Sequence, residues 1–333
     1  MKVLIIGGTG IISTYVVNKC LEKGIEVTIL NRGNRNQQVP KNVILMNGNI
    51  NDEDEINRLI KDSYFDSVIQ FVAYTKEQVE RDVRIFTGKT EQYIFISTAS
   101  VYHKPVEDYP MTEKTPISNP YWEYSQNKIA CEEYLRTVKN LNVTIVRPSH
   151  TYNNKMIMAP IIRWKCEYAH IKRLIEGKPI IIPGDGTSVW TLTHGSDFAN
   201  SFVYLIGNRR AYNDVFHITG ERLYTWEQLT HLLAKSLGVK PNIIHIPTDL
   251  IIHHIPEMEG PLLGDKSWSA IFDNSKIKSV SLEYTSKVGY EDVVDDVINY
   301  YNNHLELQKI SQEYEDLYDK LIETFLKTKA QFS

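Results

Sequence analysis

The feature that most constrains the fold is an alternation of short apolar runs with longer helical patterns over residues 1–150. The apolar runs, rich in Val, Ile and Leu, lie at 2–6, 26–30, 43–46, 67–71, 92–97 and 142–147, and helical patterns lie at 11–23, 53–62, 76–87 and 122–139. Continuous apolar strands separated by helices are typical of a parallel sheet covered on both faces. We therefore predict an α/β fold, a doubly wound parallel sheet (Rossmann-like) whose ligand crevice lies at the carboxyl ends of the strands.

The pattern changes after residue 150, where a Met-, Ile- and Pro-rich loop interrupts the alternation. The spacing of apolar residues predicts a helix at 161–176, a short strand at 179–182 and a long helical tail from near Tyr290. We expect these segments to form a smaller, partly interleaved C-terminal substrate domain. The predicted division is 1–152 for the Rossmann domain, with 195–219 returning to it, and 153–194 and 220–333 for the substrate-binding part and the C-terminal helices.

Composition and charge place the chain among ordinary globular proteins. Its 333 residues are 42% hydrophobic and 23% charged, with a net charge of −4 and a pI of about 6.2. This balance gives no electrostatic basis for binding DNA or an anionic membrane, and it makes RNA an unexpected partner. No apolar run approaches the ~20 residues of a membrane span. We expect a cytoplasmic protein with a small-molecule substrate, and a homodimer is compatible with the sequence.

The cysteines and histidines give no indication of a metal site. Cys20, Cys131 and Cys166 lie far apart, with neither metal-ligand nor redox spacing, so we interpret them as reduced thiols. The adjacent His253 and His254 point to different sides of their element, and no acidic cluster lies near them in the sequence. The apolar run near the N-terminus is about five residues long, against roughly 7–15 in a secretory signal, so no targeting segment is expected.

The first apolar run leads directly into "GGTGIIS" and a helix. Gly7, Gly10 and Ser13 occupy the three positions of a G-x-x-G-x-x-G pattern. Glycine permits the tight turn and the close approach of the backbone to a pyrophosphate, and the helix N-terminus supplies free N–H groups. In this strand–turn–helix context the pattern predicts a dinucleotide site that includes Ile11 and Ile12.

The end of the second run bears on the choice of cofactor. NAD enzymes usually carry Asp or Glu there, for the ribose hydroxyls. This chain has Asn31 and Arg32, with Arg35 close behind, so the carboxylate that would repel a 2′-phosphate is absent and a guanidinium is present. The sequence therefore predicts an NAD(P) cofactor, with NADP slightly favoured over NAD.

The stretch "SNPYWEYSQNK" contains two tyrosines, and only one of them has a lysine partner. If Asn119 caps and Pro120 opens the helix, Tyr124 falls on its first turn and Lys128 follows one turn later on the same face. A nearby ammonium favours the phenolate and lowers a tyrosine pKa by about 1–3 units. Tyr121 has no cation at the equivalent spacing. We predict Tyr124 as a catalytic acid/base.

Hydroxyl groups end the strand that precedes this helix. Ser97, Thr98 and Ser100 follow the run 92–97, where the crevice is expected. A hydroxyl at that position can hydrogen-bond a substrate oxygen while a tyrosine transfers its proton. The three predicted catalytic residues are therefore Thr98, Tyr124 and Lys128, and Ser97 is a predicted cofactor contact.

Together these motifs resemble the short-chain dehydrogenase/reductase superfamily, in its extended NAD-dependent epimerase/dehydratase branch. The similarity lies in "GGTGIIS", "FISTASVY", "YSQNK" and "VRPSHTY", in order over most of residues 1–220, with a weaker echo in "FDNSKIK". It implies that Thr98 is the catalytic Ser/Thr of the family and that Tyr124 is the general acid/base. It also implies that Lys128 holds the ribose and adjusts the pKa of Tyr124. The implied cofactor contacts are Gly7, Gly10 and Ser13 at the pyrophosphate, Asn49 and Ile50 near adenine, Phe71, Val72 and Ala73 beside the cofactor, and Pro148, Ser149 and His150 at the nicotinamide.

The chain departs from this branch in three places. Dehydratases usually carry an Asp–Glu pair directly after the catalytic Thr, where this chain has Ala99 and Ser100, so 4,6-dehydration is disfavoured. Trp190 stands where nucleotide-sugar members often have an Arg, and an aromatic ring cannot make the bidentate contact that grips a diphosphate. The stretch 73–92 is shorter than usual, which resembles the atypical subgroup containing the chloroplast stem-loop RNA-binding proteins.

The sequence therefore predicts an NAD(P)-dependent epimerase or ketoreductase that acts on a secondary hydroxyl or ketone of a sugar-like substrate, nucleotide sugars included. Epimerisation and net reduction use the same three residues, so both remain open. The candidate substrate contacts are Thr98, Ser100, Tyr121, His150 and Trp190. The alternative hypothesis is a non-catalytic nucleotide-sensing or RNA-binding protein on the same scaffold.

Overall fold

The structure is a computed structural model, and it describes residues 1–34 and 39–331. The strands are β1 (Lys2–Ile6), β2 (Glu26–Asn31), β3 (Ile44–Asn47), β4 (Phe65–Gln70), β5 (Thr90–Ile96), β6 (Asn142–Pro148), β7 (His150–Tyr152), β8 (Pro179–Pro183), β9 (Val189–His194), β10 (Asp214–Ile218), β11 (Leu223–Thr225) and β12 (Asn242–Ile246). The helices are α1 (Ser13–Glu22), α2 (Glu53–Leu59), α3 (Lys76–Phe86), α4 (Glu123–Thr137), α5 (Tyr168–Ile175), α6 (Gly195–Phe202), α7 (Trp226–Ser236), α8 (Thr248–His254), α9 (Glu259–Pro261), α10 (Ser275–Val280), α11 (Val294–Asn302) and α12 (Gln312–Ala330).

Within the described residues, seven strands form one parallel sheet in the order β10-β6-β5-β4-β1-β2-β3. Six of its strands are largely buried because helices cover both faces of the sheet, whereas the edge strand β3 is mostly exposed. Helices α1 and α6 pack their apolar side chains on one face, and α2, α3 and α4 pack on the other. This arrangement confirms the predicted doubly wound α/β fold, and it aligns the carboxyl ends of β1, β4, β5 and β6 along one crevice.

The remaining strands form two small sheets beside that crevice. One has the order β11-β9-β7, and the other pairs β12 with β8. A core rich in aromatic residues, including Trp190 and Trp226, joins these strands to α5, α7 and α11. Strand β10, which lies in the segment 195–219, pairs with β6 of the large sheet. The division into two domains at the predicted boundaries remains a prediction. In the described part of the chain, no helix is both long and apolar enough to cross a membrane.

Three predicted elements differ from the structure. The helix predicted at 161–176 begins only at Tyr168, because Lys165 adopts a positive φ of 66° that a right-handed helix cannot contain. The predicted tail is two helices, α11 and α12, rather than one. Helix α4 begins at Glu123, and Asn119 is not its cap: the Asn119 amide donates to the carbonyl oxygens of Ser100 and Gly264, at 2.7 Å each.

Candidate active site

A cleft of about 1250 Å³ opens at the carboxyl ends of β1, β4, β5 and β6. The large sheet forms one side of it, and segments after residue 150 form the other. Predicted site residues that line the cleft are Gly7, Gly10, Ile11, Ile12, Ser13, Phe71, Val72, Ser97, Thr98, Ser100, Tyr124, Lys128, Pro148, Ser149, His150 and Trp190. Those that do not line it are Asn31, Arg32, Asn49, Ile50, Ala73 and Tyr121.

The glycine-rich turn forms one end of the cleft and has the shape that a pyrophosphate requires. The backbone N–H of Gly10 donates to the Ser13 hydroxyl at 2.8 Å, which folds the turn over the start of α1. Gly8 has a φ of +83°, and a Cβ on it would lie 2.8 Å from Cδ1 of Ile29. Only glycine fits there without strain. The first N–H groups of α1 face the same end, so these residues fit a dinucleotide phosphate.

Tyr124, Thr98 and Lys128 meet at the middle of the cleft. Tyr124 lies on the first turn of α4, half-buried, and Thr98 follows the end of β5. The Lys128 ammonium lies 6.0 Å from the centroid of the Tyr124 ring. It donates to the carbonyl oxygens of Ala73 at 2.8 Å and Ile96 at 2.7 Å. The rings of Tyr74 and Phe95 also lie close to it, with centroids at 4.9 and 4.7 Å. An ammonium has three donors, so one makes no hydrogen bond to any described residue.

The pKa of Tyr124 is raised rather than lowered in this structure, and Lys128 is not among the groups that shift it. Burial raises the pKa of Tyr124 to about 12, partly opposed by the Thr98 hydroxyl. Burial also lowers the pKa of Lys128 to about 8. The Lys128 side chain is only 2% exposed, so its ammonium is largely desolvated, and it donates to two backbone carbonyls rather than to the Tyr124 hydroxyl. Burial therefore disfavours the phenolate form of Tyr124, which is protonated at neutral pH.

The Ser97 hydroxyl is engaged away from the cleft, although Ser97 lines it. It donates to Oε1 of Glu132 at 2.6 Å. Glu132, fully buried on α4, also accepts from Nε of Arg147 at 2.9 Å and from its terminal nitrogen at 2.5 Å. This buried ion pair ties α4 to β6 directly behind Tyr124. While this hydrogen bond holds, the Ser97 hydroxyl can accept a hydrogen bond from a ligand but cannot donate one.

The residues predicted to contact the adenosine part of the cofactor do not line the cleft. Asn31 accepts from the backbone N–H of Gly33 at 2.8 Å, and its own amide nitrogen is buried without a partner among the described residues. Arg32 is exposed, and Arg35 lies outside the described residues. Asn49 accepts from the N–H of Asn51 at 3.2 Å.

The substrate half of the cleft differs from the prediction at Trp190 and Tyr121. Trp190 is 1% exposed because its ring packs against His150 and Trp226 and its indole N–H donates to the Trp268 carbonyl at 3.0 Å. It therefore belongs to the core and supports the cleft wall. Tyr121 lies outside the cleft lining.

His150 and Ser100 lie on that wall, each in a closed environment. Burial lowers the pKa of His150 to about 3, so its imidazole is neutral at physiological pH. The Ser100 hydroxyl contacts those of Ser125 at 2.8 Å and Thr98 at 3.1 Å. Both can position a substrate oxygen, but neither brings a charge to it.

The sequence analysis missed several residues that line the cleft, four of which carry a polar group or a large aromatic ring close to the predicted site. Tyr74 follows β4, so its place at the carboxyl end of a strand could have indicated it. Trp122, Lys104 and Asp265 also line the cleft, but Lys104 lies in a loop and Asp265 in a short π-helical turn, and neither belongs to a recognisable motif. Among the described residues no cluster of three or more His, Cys, Asp and Glu side chains could hold a metal ion.

Comparison with known proteins agrees with this geometry. A model of the NAD dependent epimerase/dehydratase family matches residues 3–218. The chain belongs to this family. The resemblance inferred from the glycine-rich turn and the Tyr–Lys pair is thereby confirmed.

The curated relatives in this family carry different names. The Arabidopsis thaliana chloroplast stem-loop binding protein of 41 kDa b is 29% identical over 258 residues, which cover 73% of this chain and 65% of that protein. The 2'-dehydrokanamycin reductase of Streptomyces kanamyceticus is 23% identical over 294 residues, covering 87% of this chain and 81% of that protein. Membership of the family therefore does not by itself name the substrate.

Solved structures share the fold at low identity. An epimerase from Methanothermobacter thermautotrophicus superimposes with a TM-score of 0.72 at 14% identity, covering 92% of this chain and 94% of that chain. The UDP-glucose 4-epimerase of Thermotoga maritima, solved with UDP-glucose, gives 0.68 at 22% identity, covering 92% of this chain and 100% of that chain. These likenesses confirm the Rossmann-like fold.

Proposed function

We propose that this protein is an NAD(P)-dependent epimerase or ketoreductase acting on a secondary hydroxyl or ketone of a sugar-like substrate. The observation that carries the proposal is that Thr98, Tyr124 and Lys128 line one cleft together with the glycine-rich turn. The bound nicotinamide would supply or accept the hydride. The protein would supply the proton, the orientation of the substrate and the exclusion of water.

The protonation state of Tyr124 favours the reducing direction for the first proton transfer. A tyrosine is protonated at neutral pH, so the Tyr124 hydroxyl can donate a proton to a ketone oxygen as the hydride reaches the carbon. Burial raises its pKa to about 12 and so weakens it as an acid, an effect that the Thr98 hydroxyl partly offsets. Thr98 can donate a second hydrogen bond to the same oxygen. The free donor of Lys128 suits a ribose hydroxyl of the cofactor. Dehydration stays disfavoured because Ala99 and Ser100 provide no acid–base pair.

The test compares two tyrosines that lie three residues apart. Tyr124→Phe should lower cofactor-linked turnover by at least about 100-fold, because it removes the proton donor while keeping the ring. Tyr121→Phe is the matched control and should leave turnover unchanged, since Tyr121 does not line the cleft. A panel of sugars and keto sugars would be screened by nicotinamide absorbance, with product stereochemistry examined for epimerisation. Full turnover by Tyr124→Phe on every responsive substrate would contradict the proposal.

NADP is the proposed cofactor, although NAD is compatible with the fold. The end of β2 carries no carboxylate, and Arg32 is exposed with no ion-pair partner among the described residues. A guanidinium is well suited to a 2′-phosphate. Titration with both reduced cofactors should give the lower dissociation constant for NADPH, and Arg32→Ala should remove most of that difference. A much lower dissociation constant for NADH would refute this preference.

A non-catalytic RNA-binding role is the second candidate, favoured by the name of the 29% identical plant relative. The net charge of −4 opposes it. RNA binding would show an affinity that falls steeply with salt concentration. Salt-dependent binding of a stem-loop RNA, with no turnover on any member of the panel, would favour this role over the enzyme.

A further inference from the structure

Two oppositely charged side chains in the substrate half of the cleft have no partner in the protein. Lys104 lines the cleft and is only 3% exposed. Its ammonium makes no hydrogen bond or ion pair with any described residue, and the same holds for the half-buried carboxylate of Asp265, which also lines the cleft. Buried charges are normally paired or hydrogen-bonded, because desolvation without compensation is costly. These two groups are therefore arranged to meet something that enters the cleft.

The two groups lie near each other and near Tyr124. Asp265 opposes the burial-induced lowering of the Lys104 pKa, and Lys104 and Lys266 oppose the burial-induced rise of the Asp265 pKa to about 6. Asp265 also contributes to raising the pKa of Tyr124. Because the two charged groups line the same cleft without forming an ion pair, a ligand group that accepts from an ammonium and donates to a carboxylate would satisfy both. A hydroxyl group does both.

The backbone around Asp265 is fixed to the segment that carries Tyr124. Asp265 lies in a π-helical turn, Leu262–Lys266, a geometry that occurs frequently at functional sites. The Asn119 amide donates to the Gly264 carbonyl at 2.7 Å. A Cβ on Gly264 would lie 2.6 Å from Cβ of Trp122, so the turn packs closely against the start of α4. The Asp265 backbone is thus held beside the predicted acid/base.

The neighbouring cleft walls are apolar and aromatic. Trp122, Phe272, Met111 and Ala270 line the cleft with the two charged residues. Apolar walls with a few placed polar groups are typical of small-molecule sites. A sugar ring has apolar C–H faces and a rim of hydroxyls, which suits this combination. A carboxylate in the ligand would pair with Lys104 but be repelled by Asp265, and an ammonium would pair with Asp265 but be repelled by Lys104.

We propose that Lys104 and Asp265 form a specificity-determining pair that binds neighbouring hydroxyl groups of a neutral polyol. Lys104 donates to one hydroxyl oxygen, and Asp265 accepts a hydrogen bond from the same or the adjacent hydroxyl. The pair holds the ring so that the carbon to be reduced or oxidised lies beside Tyr124, a placement that rests on the proposed function. No bond is made or broken by either residue.

The experiment measures ligand binding to cofactor-saturated protein in the Tyr124→Phe background, which separates binding from turnover. The probes are the methyl glycosides of glucose, galactose and mannose, the corresponding uronates, and the corresponding 2-amino sugars. Binding is followed by saturation-transfer NMR and by quenching of the cleft tryptophans. Lys104→Met and Asp265→Asn preserve side-chain volume. Lys155→Met is the matched control, because Lys155 lines the same cleft with its ammonium 5.0 Å from the Tyr300 ring centroid.

The expected result is that a neutral glycoside binds, and that each of Lys104→Met and Asp265→Asn weakens it about tenfold or more, as for the loss of a hydrogen bond to a charged group. Lys155→Met should not weaken it. Cofactor affinity should be unchanged in all three variants, which shows that they are folded.

Three results would overturn the proposal. The first is uronate binding that Lys104→Met abolishes and Asp265→Asn strengthens, which would show an anion site. The second is amino-sugar binding that depends on Asp265 alone. The third is that no probe binds. If Tyr124→Phe retains full turnover while neutral glycosides still need the pair, the proposed function fails and this inference stands.

Discussion

Replacing Glu132 by glutamine should destabilise the protein far more than the same change at the next position. Glu132 is 0% exposed and Arg147 is 1% exposed, and they share two hydrogen bonds of 2.9 and 2.5 Å. Ser97 donates a third, at 2.6 Å. The substitution removes the negative charge and leaves Arg147 as a buried cation stacked 4.8 Å from the Tyr102 ring centroid.

The magnitude follows from these contacts. Breaking a buried ion pair by removing one partner costs about 3–5 kcal/mol. Glutamine still offers one acceptor oxygen, which can keep the bonds from Ser97 and from Nε of Arg147. Its amide nitrogen, however, would face the second guanidinium donor. We therefore expect the lower end, a loss of about 3 kcal/mol in the free energy of unfolding.

The assay is urea denaturation followed by circular dichroism, with the slope m compared among variants. Glu133→Gln is the matched control, because Glu133 is the next residue on α4 and is exposed; it should change stability by no more than about 0.5 kcal/mol. The double variant Glu132→Leu/Arg147→Met should recover much of the loss, since it leaves no unpaired charge. A loss below about 1 kcal/mol for Glu132→Gln would refute the argument that this pair is buried and coupled.

Two further predictions concern the lysine and the glycine-rich turn of the cleft. Burial lowers the pKa of Lys128 to about 8, so between that pH and the ordinary ~10.4 the unfolded chain holds a proton that the folded chain lacks. The stability of the wild type relative to Lys128→Met should therefore rise with pH above about 8, and a pH-independent difference in chemical denaturation would contradict this. Gly8→Ala should weaken cofactor binding in a fluorescence titration and destabilise the fold by more than Gly24→Ala does. Both positions have positive φ, but only at Gly8 would the Cβ also clash, with Ile29; equal effects of the two variants would exclude the clash.

Much of the fold could be predicted because its cause is local in the sequence. Apolar runs separated by helical patterns define buried parallel strands whatever the rest of the chain does. The boundaries of β1, β2 and α3 lie within a few residues of the predicted ones. The predicted helix at 161–176 failed over its first half, since the positive φ of Lys165 is imposed by the packed loop rather than by residue type.

In the candidate site too, features that depend on neighbouring residues were predictable, and features that depend on tertiary packing were not. Tyr124 and Lys128 were predicted as neighbours because residues four apart share a helix face. The roles assigned to them remain proposals. The raised pKa of Tyr124 could not be anticipated, because it depends on how completely the surrounding elements exclude water from the phenol. Ser97 likewise required the position of Glu132, 35 residues away, to show where its hydroxyl points.

The sequence by itself determined the succession of strands and helices along the chain, the glycine-rich turn and the spacing of the Tyr–Lys pair. Each of these depends on residues close together in the sequence. Only the tertiary structure decided the electrostatics of the cleft and the composition of its substrate half. Lys104 and Asp265 lie 161 positions apart and belong to no local motif. They share a cleft because the π-helical turn packs on the start of α4. Desolvation and long-range packing, which set their charges and their proximity, are properties of the folded chain alone.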